Sequence, residues 1–146
     1  MDKYELRAIL MSGCLMAVFF SALLFNLYSR KIDVPECTPY TGIFKEPHVT
    51  QLDNNTYQAF VTAGMWAFAP TGMKFPKGST VDFYLTSKDV VHGFLIEHKG
   101  VNLMAIPGTM NKVTVKFNEP GEYRIVCHEY CGAGHQNMMS TINVTE

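Results

Sequence analysis

Apolar residues are concentrated in one stretch near the start of the chain and alternate with polar residues further along. Ile9 to Tyr28 contains no charged side chain and supplies about 20 largely apolar positions, enough for a helix to cross a bilayer's hydrocarbon core. The residues after Phe25 do not form the small-residue cleavage site of a signal peptide. We therefore predict that residues 1–31 are an uncleaved anchor whose single transmembrane helix spans residues 9–28.

The rest of the chain has the pattern of short β-strands. Residues 32–49 contain several prolines and no periodicity, which predicts a linker. From residue 50 onward, apolar and polar side chains alternate between turn residues, as they do from Val81 to Leu85. Comparable runs are Thr56–Ala63, Val113–Phe117, Glu122–Val126 and Met139–Val144. With no helical period after residue 31, residues 50–146 are predicted to form a β-sandwich or a small Greek-key barrel.

Charge narrows the range of functions and leaves the orientation open. The formal net charge is −1 and no basic face is evident, so we expect no binding to nucleic acid. Lys3 and Arg7 flank one end of the apolar stretch, and Arg30 and Lys31 flank the other. The basic flanks are therefore balanced and do not predict which side of the membrane the β-domain occupies.

A cluster of metal-binding residue types lies near the end of the chain. Cys127, Cys131, His135 and Met138 fall within one short segment, and His92 stands 35 residues before Cys127. Soft sulfur ligands together with imidazole favour copper. A mononuclear blue-copper site needs two histidines, one cysteine and a methionine, so the second cysteine points to a dinuclear site with two bridging thiolates. Such a site has no open coordination position, which favours electron transfer over substrate chemistry.

The segment Cys127–Met138 resembles the CuA-binding signature of cytochrome c oxidase subunit II, C-x-E-x-C-G-x-x-H-x-x-M. Asp89–Phe94, Ala105–Gly108 and Pro120–Tyr123 resemble the same family, and the similarity covers nearly the whole chain. The resemblance implies an all-β, cupredoxin-like Greek-key sandwich with one N-terminal transmembrane helix. The chain is most similar to the short B-family type, because many other members of the family have two transmembrane helices and this sequence predicts one.

The resemblance also implies a role for each residue of the site. Cys127 and Cys131 would be bridging thiolates, and Met138 an axial thioether. The remaining ligands would be the imidazoles of His92 and His135 and the main-chain carbonyl of Glu129. Asp89 would support the ligands without binding the metal itself. A magnesium site at the subunit I boundary is not expected, because Met104 replaces an aspartate and magnesium requires oxygen ligands.

The function implied by the resemblance is electron transfer within a terminal oxidase. Two copper ions would accept single electrons from a c-type cytochrome and pass them to heme in subunit I, where oxygen is reduced to water. The chain would thus be the electron-accepting subunit of an enzyme, an oxidoreductase and proton translocase whose oxygen chemistry takes place in another subunit. Its partners would be subunit I, small subunits, the donor cytochrome and membrane lipid. The copper domain would lie on the periplasmic or outer side of a bacterial or archaeal inner membrane.

Three other functions share part of this pattern. A copper chaperone with C-x₃-C in a thioredoxin-like fold needs βαβ helices, which the pattern after residue 31 does not contain. A structural zinc site prefers four closed ligands and no methionine. Nitrous-oxide reductase shares the copper signature but requires a large catalytic domain that these residues do not provide.

Several other residues have either two possible roles or no predicted role as ligands. Trp66 has two interpretations of equal weight, a side chain of the sandwich core or an exposed aromatic near the copper where electrons enter. His128 is interpreted as a polar loop residue at the partner interface, because the six ligand positions are already filled. Cys14 and Cys37 lie apart from the cluster, so no disulfide framework is predicted.

The charge of the β-domain bears on how a donor would bind. From Ile32 onward the chain carries 11 acidic and 8 basic side chains. A net charge this small steers a basic cytochrome only weakly, and charge attraction fades beyond about 8 Å at physiological salt. We therefore expect a mainly hydrophobic docking surface.

Overall fold

The computed structural model of the chain describes residues 2–30, 36–39, 44 and 46–146. Within it the chain divides into two compact units, Met1–Ile32 and Asp33–Glu146. The predicted start of the linker at residue 32 lies outside the described residues, as does most of the stretch up to residue 45.

The first unit is one long helix, α1, from Lys3 to Arg30. Its described side chains are all solvent-exposed, and it is long and apolar enough to cross a membrane. The hydroxyls of Ser12 and Ser21 donate to the carbonyls of Ala8 and Ala17, one turn earlier, at 2.5 and 2.7 Å. The polar atoms of these two serines are thus satisfied within the helix, as an apolar surrounding requires.

The second unit is an all-β sandwich. In chain order its strands are β1 (Glu36–Pro39), β2 (His48–Asp53), β3 (Thr56–Gly64), β4 (Ala67–Ala69), β5 (Met73–Pro76), β6 (Ser79–Ser87), β7 (His92–Ile96), β8 (Val101–Ala105), β9 (Thr109–Phe117), β10 (Gly121–Val126) and β11 (Met139–Thr145). One sheet has the order β1-β9-β6-β3-β2, with β4 also pairing with β3, and the other has the order β5-β11-β10-β7-β8. The chain crosses repeatedly from one sheet to the other, and among the described strands only β3–β6 and β5–β11 pair in parallel.

Alternation of side chains across the strands builds the core between the sheets. In β6, Val81, Phe83 and Leu85 are fully buried, whereas Asp82 and Tyr84 face outward. The core is rich in aromatic residues whose rings meet edge-on or stacked; they include Phe68, Phe75, Phe83, Phe94 and Phe117. The prediction of an all-β, cupredoxin-like sandwich with a single N-terminal helix is confirmed.

One whole strand, β1, lies within residues 32–49, the stretch interpreted from sequence as a linker, and β2 begins there at His48. Glu36–Pro39 pairs antiparallel with β9, from Glu36 opposite Lys112 to Pro39 opposite Thr109. β1 is an edge strand, where a proline is tolerated because no further strand needs its missing N–H. All four side chains of β1 are exposed, so no alternation marked the strand in the sequence.

Three connections at one end of the sandwich carry the residues of interest. They are the turn between β3 and β4, the loop before β7, and residues 127–138 between β10 and β11, here called the ligand loop. β10 and β11 pair as far as Val126 opposite Met139, and the Cys127 N–H then donates to the Met138 carbonyl at 3.1 Å. The two ends of the ligand loop are therefore held together by backbone hydrogen bonds.

Candidate metal centre

His92 is the first residue of β7 and is completely buried. Its Nε2 is 2.7 Å from Oδ1 of Asp89, whereas its Nδ1 has no hydrogen-bond partner in the described part of the chain. A buried ring nitrogen without a partner is unusual, because leaving it unsatisfied is costly. A metal ion bound at Nδ1 would remove this cost.

The two cysteines of the ligand loop face each other beside the His92 ring. Cys127 and Cys131 are 4% and 5% exposed, and their Sγ atoms are 3.7 Å apart. That separation is far longer than the roughly 2.05 Å of a disulfide bond, so both thiols are free. One ligand atom from each of His92, Cys127 and Cys131 lies within 4.8 Å of the others. This spacing suits a shared metal site.

The remaining candidate ligands lie around the two sulfurs. Nδ1 of His135 is 3.6 Å and Sδ of Met138 is 3.7 Å from Sγ of Cys131. The Glu129 carbonyl oxygen is 3.2 Å from Sγ of Cys127, while the Glu129 side chain is solvent-exposed. All six atoms assigned as ligands by the resemblance therefore converge on one place in the fold.

Tight local folding of the ligand loop brings its side chains together. His135–Asn137 form one turn of 3₁₀ helix, and the His135 N–H donates to the Gly132 carbonyl at 3.0 Å. Gly132 has φ +114°, a backbone conformation that residues with a Cβ rarely adopt. The glycine after Cys131 thus allows the sharp bend that returns His135 towards the sulfurs.

Asp89 orients His92 and is itself held by backbone N–H groups. Its Oδ2 accepts from the Met65 N–H and its Oδ1 from the Val90 N–H, each at 2.7 Å. Burial raises the pKa of this carboxyl, but the hydrogen bonds from His92, Met65 and Val90 outweigh that effect and leave the pKa below its usual value. Asp89 is therefore ionised at neutral pH and favours a proton on Nε2 of His92, which keeps Nδ1 free for a metal.

A cation at this position would change the protonation state of the thiols. Burial, together with the neighbouring Cys127, raises the pKa of the Cys131 thiol to about 11. Without a positive charge between the sulfurs, Cys131 is protonated at neutral pH. A metal ion in this position would stabilise the thiolate form, as metals do with coordinating thiols.

Trp66 lies at the ligand loop rather than in the core, and its role in electron entry stays a prediction. Its side chain is 41% exposed, in the turn between β3 and β4. Its indole Nε1–H donates to the Cys131 carbonyl at 3.1 Å. The indole is thus in direct contact with a ligand residue while one part of it remains in solvent.

Other residues considered from the sequence lie outside the cluster. The side chains of His48, His98 and His128 are exposed. The ring of His128 covers Gly93, where an added Cβ would be 2.6 Å from both the ring and the His128 backbone nitrogen. Met104 pairs with Gly93 across β7 and β8, so it lies beside the site and offers a thioether where magnesium would need oxygen.

Sequence reasoning did not assign roles to Met65, Gly93 or Gly134. Met65 donates its N–H to Asp89, and Gly93 and Gly134 allow close approach by His128 and Trp66. The two glycines are direct neighbours of His92 and His135 in the chain. That adjacency is a sequence signal for a crowded ligand environment.

Known proteins are similar to this chain in sequence and in fold. The family profile described as "Cytochrome C oxidase subunit II, periplasmic domain" matches residues 68–145. One cytochrome c oxidase subunit 2 of Thermus thermophilus is 34% identical over 155 residues, covering 98% of this chain and 92% of that protein. A second, also from Thermus thermophilus, is 43% identical over 98 residues, covering 67% of this chain and 73% of the relative.

A solved structure of a heme-copper terminal oxidase dimer contains a similar chain, with a TM-score of 0.86 and 38% identity. The match covers 98% of this chain and 100% of that one. A copper chaperone of thioredoxin-like fold is not favoured, because residues 46–146 contain only one short 3₁₀ turn besides strands and loops. These findings confirm the family, the fold and the subunit function predicted from sequence. The chain belongs to the cytochrome c oxidase subunit II family and is a membrane subunit of a heme-copper oxidase.

Proposed function

We propose that the candidate metal centre holds two copper ions and that the chain relays single electrons from a c-type cytochrome to heme in subunit I. The ligands would be His92, Cys127, Cys131, His135 and Met138, with the carbonyl of Glu129. The observation that carries this proposal is the close cluster of buried His92, whose Nδ1 has no hydrogen-bond partner among the described residues, with two free, buried thiols.

The set of donor atoms favours copper over zinc and two ions over one. A closed zinc site uses four ligands, typically cysteine and histidine, and has no place for Met138. A mononuclear copper site needs only one cysteine. Two thiols 3.7 Å apart, with two imidazoles and a thioether close by, provide more donor atoms than a single ion of either kind would use. When bound, two copper ions would accept and release one electron at a time.

The side chains around the ligand loop support an apolar surface for the donor cytochrome. Exposed apolar residues near the site are Met65, Trp66, Val90, Tyr130 and Met139, and Tyr130 is the most exposed at 76%. Each of them is adjacent in sequence, or hydrogen-bonded, to a residue of the site. Aromatic and methionine side chains are typical of protein interfaces. We propose that the donor docks here, on the outer side of the membrane, while α1 anchors the chain in lipid.

The copper content can be measured on the β-unit. A fragment covering Asp33–Glu146 is expected to fold and bind two copper ions per chain. The fragment should not begin as late as Lys45, because it would then lack β1 and the pairing of β1 with β9. Metal analysis gives the stoichiometry, and electron paramagnetic resonance should show one unpaired electron coupled to two equivalent coppers. A single-copper spectrum, or a preference for zinc in direct competition, would contradict the dinuclear proposal.

Docking can be tested through salt dependence and Trp66. We expect the rate of electron transfer from cytochrome c to change less than about threefold between 10 and 150 mM salt, because a nearly neutral apolar surface is weakly affected by screening. Trp66→Ala should slow this rate, per copper-loaded centre, about tenfold, since removal of a central interface aromatic commonly costs that much or more. A small inorganic reductant is the control, because it needs no docking surface. A steep fall with salt contradicts apolar docking, and equal slowing with both reductants contradicts a donor contact at Trp66.

A further inference from the structure

We propose that the Met65–Trp66 turn is a brace for the metal centre, in which Trp66 is a positioning residue that holds the ligand loop through its indole N–H. This inference deepens the proposed function and rests on it, since the residues it positions are the proposed copper ligands. It assigns to Trp66 a role separate from contact with the electron donor.

The indole contacts the ligand loop in two independent ways. Its Nε1–H donates to the carbonyl of Cys131 at 3.1 Å. Its ring also covers the backbone of Gly134, so closely that an added Cβ there would lie 2.3 Å from Cδ2 and 2.6 Å from Cγ and Cε3 of Trp66. Cys131 and Gly134 flank the bend that returns His135 to the sulfurs. The indole therefore fixes both ends of this bend.

The other residue of the turn contacts the opposite side of the site. The Met65 N–H donates to Oδ2 of Asp89 at 2.7 Å, and Oδ1 of Asp89 bonds Nε2 of His92 at 2.7 Å. Two consecutive residues between β3 and β4 thus connect to His92 on one side and to the ligand loop on the other. Because β3 is an inner strand of its sheet, the turn is attached to a rigid part of the sandwich.

A brace of this kind matters because half of the residues in the ligand loop are solvent-exposed. Residues 128–130, 133, 136 and 137 are all exposed, and the backbone bonds inside the loop join its own residues. The Trp66 hydrogen bond adds an anchor from a segment about 65 residues earlier in the chain. Contacts that hold ligands in a fixed orientation raise the affinity for the metal and influence its electronic properties.

The first test removes the N–H and keeps an aromatic ring. In the full-length, copper-loaded chain in detergent, Trp66→Phe should lose copper to excess EDTA about two- to tenfold faster and shift the copper hyperfine splitting, as expected for one lost hydrogen bond. Tyr123→Phe is the matched control, because the Tyr123 hydroxyl donates to the Glu119 carbonyl at 2.8 Å, a hydrogen bond that involves neither a proposed ligand nor the ligand loop. It should leave both copper measurements unchanged. An unchanged loss rate and spectrum in Trp66→Phe would overturn the proposal.

The second test uses the close contact at Gly134. Gly134→Ala should accelerate copper loss at least about tenfold in the wild-type background, because its Cβ collides with the Trp66 ring. In a Trp66→Ala background the same change should add less than about twofold, since the colliding ring is gone. Equal effects in both backgrounds would mean that the two residues act independently, which overturns the brace.

The copper-free chain separates this inference from the proposed function. Trp66 is the only tryptophan in the sequence, so intrinsic fluorescence reports directly on its contact with the loop. Gly134→Ala should shift the emission to longer wavelength as the ring is displaced into solvent, whereas Gly13→Ala in α1, where no atom lies near the added Cβ and the backbone is helical, should not. Absence of copper from the wild-type chain would refute the copper proposal alone, and an unshifted emission would refute the brace alone.

Discussion

Replacing Cys127 or Cys131 with serine is expected to abolish the dinuclear copper signal and reduce the copper content below two ions per chain. A serine hydroxyl stays protonated near neutral pH and is a hard oxygen donor, so it cannot replace a thiolate as a copper ligand. Electron paramagnetic resonance and metal analysis of each variant measure the loss. Circular dichroism should show an intact β-unit, because the change is nearly isosteric.

Met138→Leu is the matched comparison within the same loop. Met138 is 1% exposed, and leucine has a similar volume, so packing is preserved while the thioether is removed. A weak axial ligand predicts that two coppers remain and that only the reduction potential shifts. If Met138→Leu removed copper as completely as a cysteine variant does, Met138 would rank as a principal ligand and the proposed roles would be wrong.

Asp89→Ala is expected to weaken copper binding about 10- to 100-fold, the usual effect of removing a residue that orients a metal-bound histidine. The change removes the acceptor for Nε2 of His92 and for the Met65 N–H. His92 would then be free to place its proton on Nδ1, the nitrogen needed by the metal. Competition with a chelator of known affinity measures the loss.

Asp82→Ala is the control for this change. The side chains of Asp82 and Asp89 are equally exposed, at 21%. Asp82 accepts from the Thr114 hydroxyl at 2.6 Å and lies 3.7 Å from the Lys112 ammonium, on strands that carry no proposed ligand. Its replacement should leave the copper affinity unchanged. Equal loss in both variants would show that the Asp89 effect is a general loss of stability.

Alternation predicted those strands that have one face in the core and one in solvent. The run Thr56–Ala63 corresponds to β3, and the runs at Val113–Phe117 and Glu122–Val126 to parts of β9 and β10. β7, with sequence His-Gly-Phe-Leu-Ile, was not predicted because four of its five residues are buried on both faces. At the other extreme, β1 and β2 are exposed throughout, and neither situation produces a period of two.

The candidate site was predictable to the extent that its residues are close in sequence. The segment Cys127–Met138 carries its chemistry in its residue types, and one more histidine was sufficient to complete the pattern. The position of Trp66 was not predictable, because it depends on how the β3–β4 turn approaches a loop about 65 residues later. Alternation and composition carry no information on such a contact.

The way the ligand loop is closed has a consequence for how this fold can change over evolution. The pairing of Val126 with Met139 and the hydrogen bond between the Cys127 N–H and the Met138 carbonyl use only main-chain atoms. Five of the six proposed ligands lie in the loop that these two contacts close, and the sixth, His92, lies on a different strand. Insertions, deletions or exchange of the loop could therefore alter the number and kind of metal ions while the sandwich and one imidazole remain. Under this proposal the β-unit is a constant scaffold, and one exchangeable loop determines which metal ions it holds.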